Sequence, residues 1–343
     1  MPARASASRF RASPWNFPRF GVTLCGLTLA VLGSAARADN DFAQVATSLD
    51  ATMREWMREY SVPAAALAAM KDGTIVKSLG YGGMHPAQPA RIASLSKAIT
   101  GVCIARLIDE GRLSFTTPLA TVFAGTFRKL GPPLDPRFQS ITIEQLLKHR
   151  AGLAREARSG PPVHDMTGMF TRILATPLES DPGGAMVYSN IGYRTLGMVA
   201  QAVTGRDYER HCGASALAPM QASGFIDPLL RHRAASGGWR VSAIDYARFV
   251  QVFDENATVL GATSRQWQDT LAGNPAYGLG TFVRRTANGR EFSHTGRVPL
   301  REHGGAYTIK YDNGWTIVIT FDGDARGAAP DLRRQLRAAV SST

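Results

Sequence analysis

Lysine is scarce in this chain of 343 residues, which contains six lysines but 33 arginines. Cysteine is scarce as well, and three cysteines are too few for a domain held together by a framework of disulfides. No apolar run reaches the roughly 20 residues that a membrane-spanning helix needs, so we expect no stable membrane span. Basic residues do not alternate with aromatic ones in any run, and nucleic acid is therefore not an expected partner.

The first 38 residues have the composition of a secretory signal. Four arginines, but no acidic residue, precede the apolar stretch 21–35, and Ala36-Arg37-Ala38 offers small residues for cleavage. We therefore predict a signal peptide over 1–38, cleavage near Ala38, and a periplasmic or secreted protein. Removal of its five arginines lowers the formal net charge from +12 to +7.

Two cysteines remain after the predicted cleavage, Cys103 and Cys212. In an oxidising compartment they are able to pair. Two buried free thiols explain them equally well, and the sequence leaves the choice open.

Strand patterns occur at both ends of the remaining chain, with helical patterns between them. Residues 62–70 and 74–79 read as a hairpin around Lys71-Asp72-Gly73, and four more strands are predicted at 277–283, 291–294, 306–311 and 315–321. The segment 98–108 is apolar on all sides, which is typical of a central buried helix, and Thr142 with Gln145 resembles a capping box at the start of another helix. We predict an α+β fold with one antiparallel sheet built from both chain ends (39–93 and about 240–343) and an inserted, mostly helical lobe (about 94–239).

The first candidate for catalysis is Ser94-Leu95-Ser96-Lys97 at the start of that helix. Residues three apart lie on one helical face, so the hydroxyl of Ser94 and the amine of Lys97 are within reach of each other. A desolvated lysine is able to accept the proton of a serine nucleophile, whereas an arginine is not. This spacing is common by chance and needs further support.

A second candidate is Tyr188-Ser189-Asn190, which opens a predicted helix. A phenol is able to relay protons, and an amide is able to hold a substrate carbonyl. Tyr311-Asp312-Asn313 has the same pattern, but its asparagine fits a hairpin turn with Gly314 better.

The third candidate is His294-Thr295-Gly296, at the end of a predicted strand. A strand edge is able to hold a substrate backbone, and a glycine permits close approach. His303-Gly304-Gly305 is the alternative, but Pro299 makes the preceding segment a poor internal strand, so we favour His294.

Taken in order, the three motifs resemble those of serine β-lactamases and penicillin-binding proteins. Arg91-Ile92-Ala93-Ser94 and the segment Leu-Leu-Lys-His-Arg-Ala-Gly-Leu at 146–153 are similar to the class C branch, which includes D-alanyl-D-alanine carboxypeptidases and esterases. The resemblance implies an acyl-enzyme on Ser94, with proton transfer by Lys97 and Tyr188. It also implies substrate binding by Asn190 and His294-Thr295-Gly296, and an oxyanion hole from the backbone N–H groups of Ser94 and Arg297.

The expected function is a serine hydrolase acting on an ester, amide or lactam carbonyl of a small molecule or peptide, without a metal or other cofactor. A D-alanyl-D-alanine carboxypeptidase and a penicillin-binding sensor without turnover are the alternatives, and acyl transfer to another acceptor stays open. His294 stands where β-lactamases usually have lysine, which argues against antibiotic hydrolysis. Arg297, Arg301 and Glu302 make the strand exit charged and either read an acidic substrate or face solvent. The oligomeric state is not readable.

Overall fold

The computed structural model describes residues 27–298, 304–325 and 329–340. The chain divides into two compact units, residues 1–44 and 45–343. Helix α1, Leu27–Glu59, contains the described part of the first unit and the beginning of the second. Residues 1–26 of the predicted signal lie outside the described residues, and its remainder forms the first part of α1. Within the described ranges, no helix is both long and apolar enough to cross a membrane.

The second unit contains one seven-stranded sheet, antiparallel throughout, in the order β2-β1-β10-β9-β8-β7-β6. Its strands are β1 (Ala64–Lys71), β2 (Thr74–Tyr81), β6 (Ala276–Gly278), β7 (Thr281–Thr286), β8 (Gly289–Val298), β9 (Gly304–Lys310) and β10 (Trp315–Asp322). The first and last strands pair directly, as β1 lies against β10 from Ala64↔Asp322 to Lys71↔Trp315. The prediction of one sheet from both chain ends is confirmed.

Tight turns join β1 to β2 and β9 to β10 as hairpins. Asp72 and Gly73 both have positive φ, +46° and +80°, as a tight hairpin turn requires. Gly314 has φ +85° in the β9–β10 turn, where Asn313 accepts a hydrogen bond from the N–H of Trp315. The hairpin interpretation of the second Tyr-x-Asn triplet is therefore confirmed.

Helices occupy the middle of the chain: α2 (Ser96–Asp109), α3 (Leu119–Leu130), α4 (Ile143–Leu147), α5 (Met166–Leu174), α6 (Asn190–Thr204), α7 (Tyr208–Cys212), α8 (Ala243–Val250) and α9 (Ala262–Asp269). A final helix, α10 (Ala329–Val340), follows the sheet. The predicted capping box of α4 is present, since the hydroxyl of Thr142 accepts from the N–H of Gln145 and the side chain of Gln145 accepts in return.

Helix α2 is the centre of the helical part, with almost every residue buried. A disulfide joins Cys103 on α2 to Cys212 at the end of α7, which decides the question that the sequence left open. Glycine makes the close approach of α2 to the sheet possible, since a Cβ on Gly101 would lie 2.4 Å from the carbonyl carbon and oxygen of Leu279. The turn between β6 and β7 thus rests on the backbone of α2.

A second, three-stranded sheet was not predicted. It consists of β3 (Ala90–Arg91), β5 (Trp239–Val241) and β4 (Phe225–Ile226) in that order. Two or three residues per strand give no readable alternation of polar and apolar positions, so the sequence pattern carried no signal for it. The sheet matters because β3 leads directly into the turn that contains Ser94.

Candidate active site

Ser94 lies in a 3₁₀ turn, Ala93–Leu95, between β3 and α2. The N–H of Ile92 donates to the carbonyl of Trp239, which ties the start of this turn to the small sheet. Ala93 adopts a left-handed conformation with φ +46°, uncommon for a residue with a side chain. Strained backbone of this kind persists only where the surrounding structure enforces it, and it concentrates at functional sites.

Lys97 lies one turn further along, on the first turn of α2, and its side chain is completely buried. The amine nitrogen lies 3.2 Å from the hydroxyl oxygen of Ser94. It lies 2.7 Å from the amide oxygen of Asn190 and 2.7 Å from the carbonyl oxygen of Ser236. A neutral amine has two hydrogens and one lone pair, so the two short contacts use both hydrogens and the lone pair remains for the hydroxyl of Ser94.

The electrostatic surroundings favour this neutral form. Burial lowers the pKa of Lys97 well below its ordinary value, and the nearby guanidinium groups of Arg194 and Arg155 lower it further. The carboxylate of Glu156 opposes them and raises the pKa. The net direction is downward, toward the neutral form of Lys97 that is able to act as a base.

Tyr188 has the opposite character. Burial raises the pKa of its phenol to about 12, although hydrogen bonding with Ser94 and the charge of Arg155 act to lower it. The amine of Lys97 lies 4.9 Å from the centre of the Tyr188 ring. Beside the hydroxyl of Ser94 there is thus a buried base and a partly buried, protonated acid.

His149 holds the segment that contains Tyr188 and Asn190, a role that the sequence did not reveal. Its side-chain Nδ1 accepts from the N–H of Ser189, and its carbonyl accepts from the N–H of Val187. Its ring packs 4.4 Å from the Tyr188 ring, centre to centre. His149 is buried and packs within the site. Its location in the segment 146–153 was the only signal available.

Strand β8 forms the opposite wall. It pairs with β7 only up to Ser293, whereas its pairing with β9 continues to Val298. Among the described residues, 294–298 therefore have no strand partner on the β7 side, and this edge faces the turn of Ser94. A Cβ on Gly296 would lie 2.5 Å from the carbonyl oxygen of Ile92 and 2.9 Å from the nitrogen of Ser94, so only glycine permits this approach.

The side chains of that edge differ in exposure. Thr295 and Arg297 are exposed, and Arg297 lies 3.6 Å from Asp324. His294 is buried, with Nε2 hydrogen-bonded to the hydroxyl of Tyr277 at 3.1 Å. Burial lowers the pKa of His294 to about 3. His294 is therefore neutral and belongs to the wall, while the exposed Thr295 borders the cavity. The alternative, His303, lies outside the described residues.

Asn190 is held between Lys97 and a carboxylate that the sequence did not single out. Its amide nitrogen donates to Glu156 at 2.6 Å, and the other oxygen of Glu156 lies 2.8 Å from the guanidinium of Arg194. One amide hydrogen at most is left for a substrate. Glu156 and Arg194 carried no sequence signal because neither belongs to a recognisable motif, and only the fold brings them to Asn190.

The site opens onto a cavity of about 640 Å³. Ser94, Tyr188, Asn190, His294, Thr295, Gly296 and Arg297 all border it. The structure thus brings every predicted site residue except Lys97 to the cavity wall, with Lys97 directly behind Ser94. Four arginines but one carboxylate, Glu156, line the cavity within the described residues. Over the same ranges, no three histidine, cysteine, aspartate or glutamate side chains group in a way that would hold a metal ion.

The family model described as Beta-lactamase matches residues 49–341. The chain therefore belongs to the β-lactamase family, whose fold the seven-stranded sheet and its helices reproduce.

Individual relatives are distant. Protein flp of Staphylococcus aureus strain COL is 27% identical over 200 residues, which are 54% of this chain and 38% of that protein. The match thus spans well under half the length of that relative. Among solved structures, SurE with D-Leu superposes with a TM-score of 0.70 at 21% identity, covering 88% of this chain and 75% of that one. A D-stereospecific amidohydrolase from Streptomyces sp. superposes with a TM-score of 0.65 at 19% identity, covering 88% and 99%. Identities this low show a common fold.

Proposed function

We propose that this protein is a serine hydrolase that forms an acyl-enzyme on Ser94. The observation that carries the proposal is a completely buried amine, Lys97, whose pKa lies well below its ordinary value and whose nitrogen lies 3.2 Å from the Ser94 hydroxyl beside a cavity. An activated serine needs this combination of a hydroxyl and a neighbouring base.

The chemistry follows from the protonation states. The oxygen of Ser94 attacks the acyl carbon, and its proton passes to the amine of Lys97. As the tetrahedral intermediate collapses, the bond to the leaving group breaks and the phenol of Tyr188 donates a proton to that group. Lys97 returns its proton to Tyr188, and both residues then serve the attack of water on the acyl-enzyme. The backbone N–H groups of Ser94 and Arg297 are the proposed oxyanion hole, because Gly296 brings this part of β8 against the nitrogen of Ser94.

Within this class we favour a peptidase or esterase over a lactamase. The family's usual lysine would put a positive charge beside the substrate, whereas His294 is neutral here, with a pKa of about 3. The positive charge in the cavity comes instead from arginines, so we propose a substrate with an anionic group. The similar structures with D-Leu and with D-stereospecific amide hydrolysis add D-amino acyl amides to the substrates worth testing.

Export after cleavage near Ala38 stays a proposal, which the Cys103–Cys212 disulfide supports. Disulfides persist in oxidising compartments and are rare in the cytosol. Cell fractionation and N-terminal sequencing of the recovered protein would test it, and an intact N-terminus in the cytosol would overturn it.

The decisive experiment is labelling with a fluorophosphonate, followed by peptide mass spectrometry. We expect one adduct, on Ser94, that is absent in Ser94→Ala. In Lys97→Met, which keeps an unbranched apolar chain in the buried position, labelling should slow by about 10³-fold or more because the base is lost. Labelling of other residues, or equal labelling of Ser94→Ala, would refute the proposal. If an ester, amide or lactam acylates Ser94 but no product is ever released, the protein is a non-turnover binding protein instead.

A further inference from the structure

Five residues form a closed ring of hydrogen bonds and an ion pair behind Ser94. Starting at the amine of Lys97, the ring passes to the amide oxygen of Asn190 at 2.7 Å and from the amide nitrogen to Glu156 at 2.6 Å. The second oxygen of Glu156 pairs with Arg194 at 2.8 Å, and Arg194 Nε donates to the hydroxyl of Ser236 at 3.1 Å. The carbonyl oxygen of Ser236, 2.7 Å from the amine of Lys97, closes the ring.

The carboxylate of Glu156 decides which way the Asn190 amide points. A carboxylate only accepts hydrogen bonds, so the amide must present its NH₂ group to Glu156 and therefore its oxygen to Lys97. Arg194, the amide of Asn190 and the nearby charge of Arg233 keep Glu156 ionised, because together they outweigh its burial and hold the pKa of Glu156 below its ordinary value. Without this carboxylate, nothing in the ring would prevent the amide from turning its NH₂ toward the amine.

Arg194 positions the residue that carries the second acceptor of the Lys97 amine, the carbonyl oxygen of Ser236. Its side chain is 6% exposed, and its guanidinium reaches both Glu156 and the Ser236 hydroxyl. An ion pair formed by a charge this deeply buried is weak evidence for stability alone, because the cost of desolvation offsets much of the attraction. The Glu156–Arg194 pair connects the segment after Leu153 to helix α6 and to Ser236. Asn190, at the start of α6, and Ser236 supply the two oxygen atoms that accept from the amine of Lys97.

We propose that Glu156 and Arg194 are positioning residues: the pair holds the Asn190 amide oxygen and the Ser236 carbonyl against the amine of Lys97 and sets the electric field at that amine. The inference rests on the proposed function for the use of that amine. The ring itself is a property of the fold.

The electric field at the amine of Lys97 depends on the charged and titratable groups around it. Arg194 on α6 and Arg155 lower its pKa, and Glu156 raises it. Four further neighbours, His149, Tyr188, Tyr193 and His294, are uncharged at neutral pH because burial lowers the pKa of both histidines and raises that of both tyrosines. The two members of the pair therefore act on Lys97 in opposite directions.

Opposite shifts in the pKa of Lys97 distinguish the proposed role of Glu156 and Arg194 from simple structural support. Glu156→Gln keeps an acceptor for the Asn190 amide but removes the negative charge, so the pKa of Lys97 should fall. Arg194→Gln removes a positive charge and leaves Glu156 uncompensated, so the pKa should rise, each shift being on the order of 1 pH unit. Damage to the fold would not move the two variants in opposite directions.

The first test does not depend on activity. The chain has six lysines, so biosynthetic labelling with [ε-¹³C]lysine gives few NMR signals, and Lys97→Met assigns the one from Lys97. We expect its titration midpoint to rise in Arg194→Gln and to fall, or stay below the accessible range, in Glu156→Gln. Arg194→Lys, which retains the charge, should lie near the wild type. Glu110→Gln is the matched control, because it breaks the Arg106–Glu110 pair at the far end of the same helix.

The second test is the pH dependence of Ser94 labelling. The acidic limb, which reports the loss of the proton from Lys97, should move to higher pH in Arg194→Gln and to lower pH in Glu156→Gln. Glu156→Ala, which also removes the acceptor, should in addition lower the rate at the pH optimum by about tenfold. Circular dichroism and thermal melts show that each variant is folded, and Glu156, being about half exposed, supplies the less disruptive variant if Arg194→Gln unfolds.

The outcomes are distinguishable. A Lys97 signal that titrates identically in the wild type and in folded variants of both residues overturns the inference, whether or not the wild type is labelled. Shifted titration without any labelling of the wild type supports the inference about the ring and refutes the proposed function.

Discussion

Gly280 lies directly against the backbone of Lys97. A Cβ at position 280 would be 2.2 Å from the carbonyl carbon and oxygen of Lys97, closer than real Cβ atoms come to backbone. Gly280 also has φ +83°, in the turn between β6 and β7. The sheet thus fixes the position of the first turn of α2 through a contact that has no room for a side chain.

We therefore expect Gly280→Ala to displace the first turn of α2. The strained φ costs about 1–2 kcal/mol, and the clash adds roughly 1–3 kcal/mol. Movement of Lys97 by about 1 Å would slow labelling of Ser94 by about 100-fold. Urea unfolding and the labelling rate measure the two effects.

Gly73→Ala is the matched control. Gly73 has φ +80°, almost the same backbone conformation, but nothing lies within 4 Å of a Cβ there. This variant should lose only the energy of the strained φ and should label at the rate of the wild type. If Gly280→Ala and Gly73→Ala behave alike, the contact with Lys97 does not position the helix.

His294 makes stability dependent on pH. Burial lowers its pKa to about 3 in the folded protein, whereas an unfolded histidine has a pKa near 6.5. The unfolded state therefore binds the proton more tightly, so the full stability is present above pH 6.5 and is lost as the pH falls toward 3. At pH 5 the loss is about 2 kcal/mol from this residue.

Urea unfolding at pH 7.5 and pH 5 measures this loss. His294→Gln should reduce the difference between the two pH values by about 2 kcal/mol. The buried His149, whose pKa is also lowered by burial, should account for part of what remains. An unchanged difference in His294→Gln would contradict the assignment of a neutral, buried His294.

The disulfide should stabilise the helical part of the fold. Cys103 and Cys212 are 109 residues apart, and closing a loop of this size restricts the unfolded chain by about 3–5 kcal/mol. Reductant should lower the midpoint of urea unfolding in the wild type, but not in the double variant Cys103→Ala, Cys212→Ala. A reductant effect of the same size in that variant would show that it does not act through this bond.

Local patterns predicted much of the fold. The two hairpin turns, the capping box at Thr142 and the buried helix after Ser94 depend on neighbouring residues, and each is present where the sequence indicated it. The segment 277–283 was predicted as one strand, but Leu279 and Gly280 form a turn that divides it into β6 and β7. Leu279 has φ +47°, a conformation that its residue type does not announce.

The site divides in the same way. Ser94, Lys97, Tyr188 and the β8 residues belong to short motifs or lie beside them, and the resemblance of these motifs to those of a known family indicated them. His149, Glu156, Arg194 and Ser236 act through contacts between segments far apart in the chain, as in the bond from Arg194 to Ser236. Such contacts are properties of the folded chain, so no local pattern indicated them.

The charges lining the cavity lead to a prediction about substrates. Arg155 is exposed, its guanidinium lies 5.1 Å from the centre of the Tyr188 ring, and no carboxylate lies in ion-pair range of it within the described residues. A substrate carboxylate near Tyr188 would meet this positive charge. We expect a higher kcat/KM for an activated ester with a succinyl group than for the butyryl ester of similar size.

Arg155→Gln should lower kcat/KM for the succinyl ester by about 2–5-fold, the scale of an exposed ion pair, mainly through KM. The butyryl ester should be affected much less and serves as the internal control, since it reports any change that Arg155 causes at Lys97. Raising the salt concentration to 0.5 M should reduce the preference in the wild type, because screening shortens the reach of exposed charges to well below 10 Å. Equal losses of kcat/KM for both esters would instead indicate that Arg155 acts on Ser94, Lys97 or Tyr188. A wild type that prefers the butyryl ester would contradict an anionic substrate.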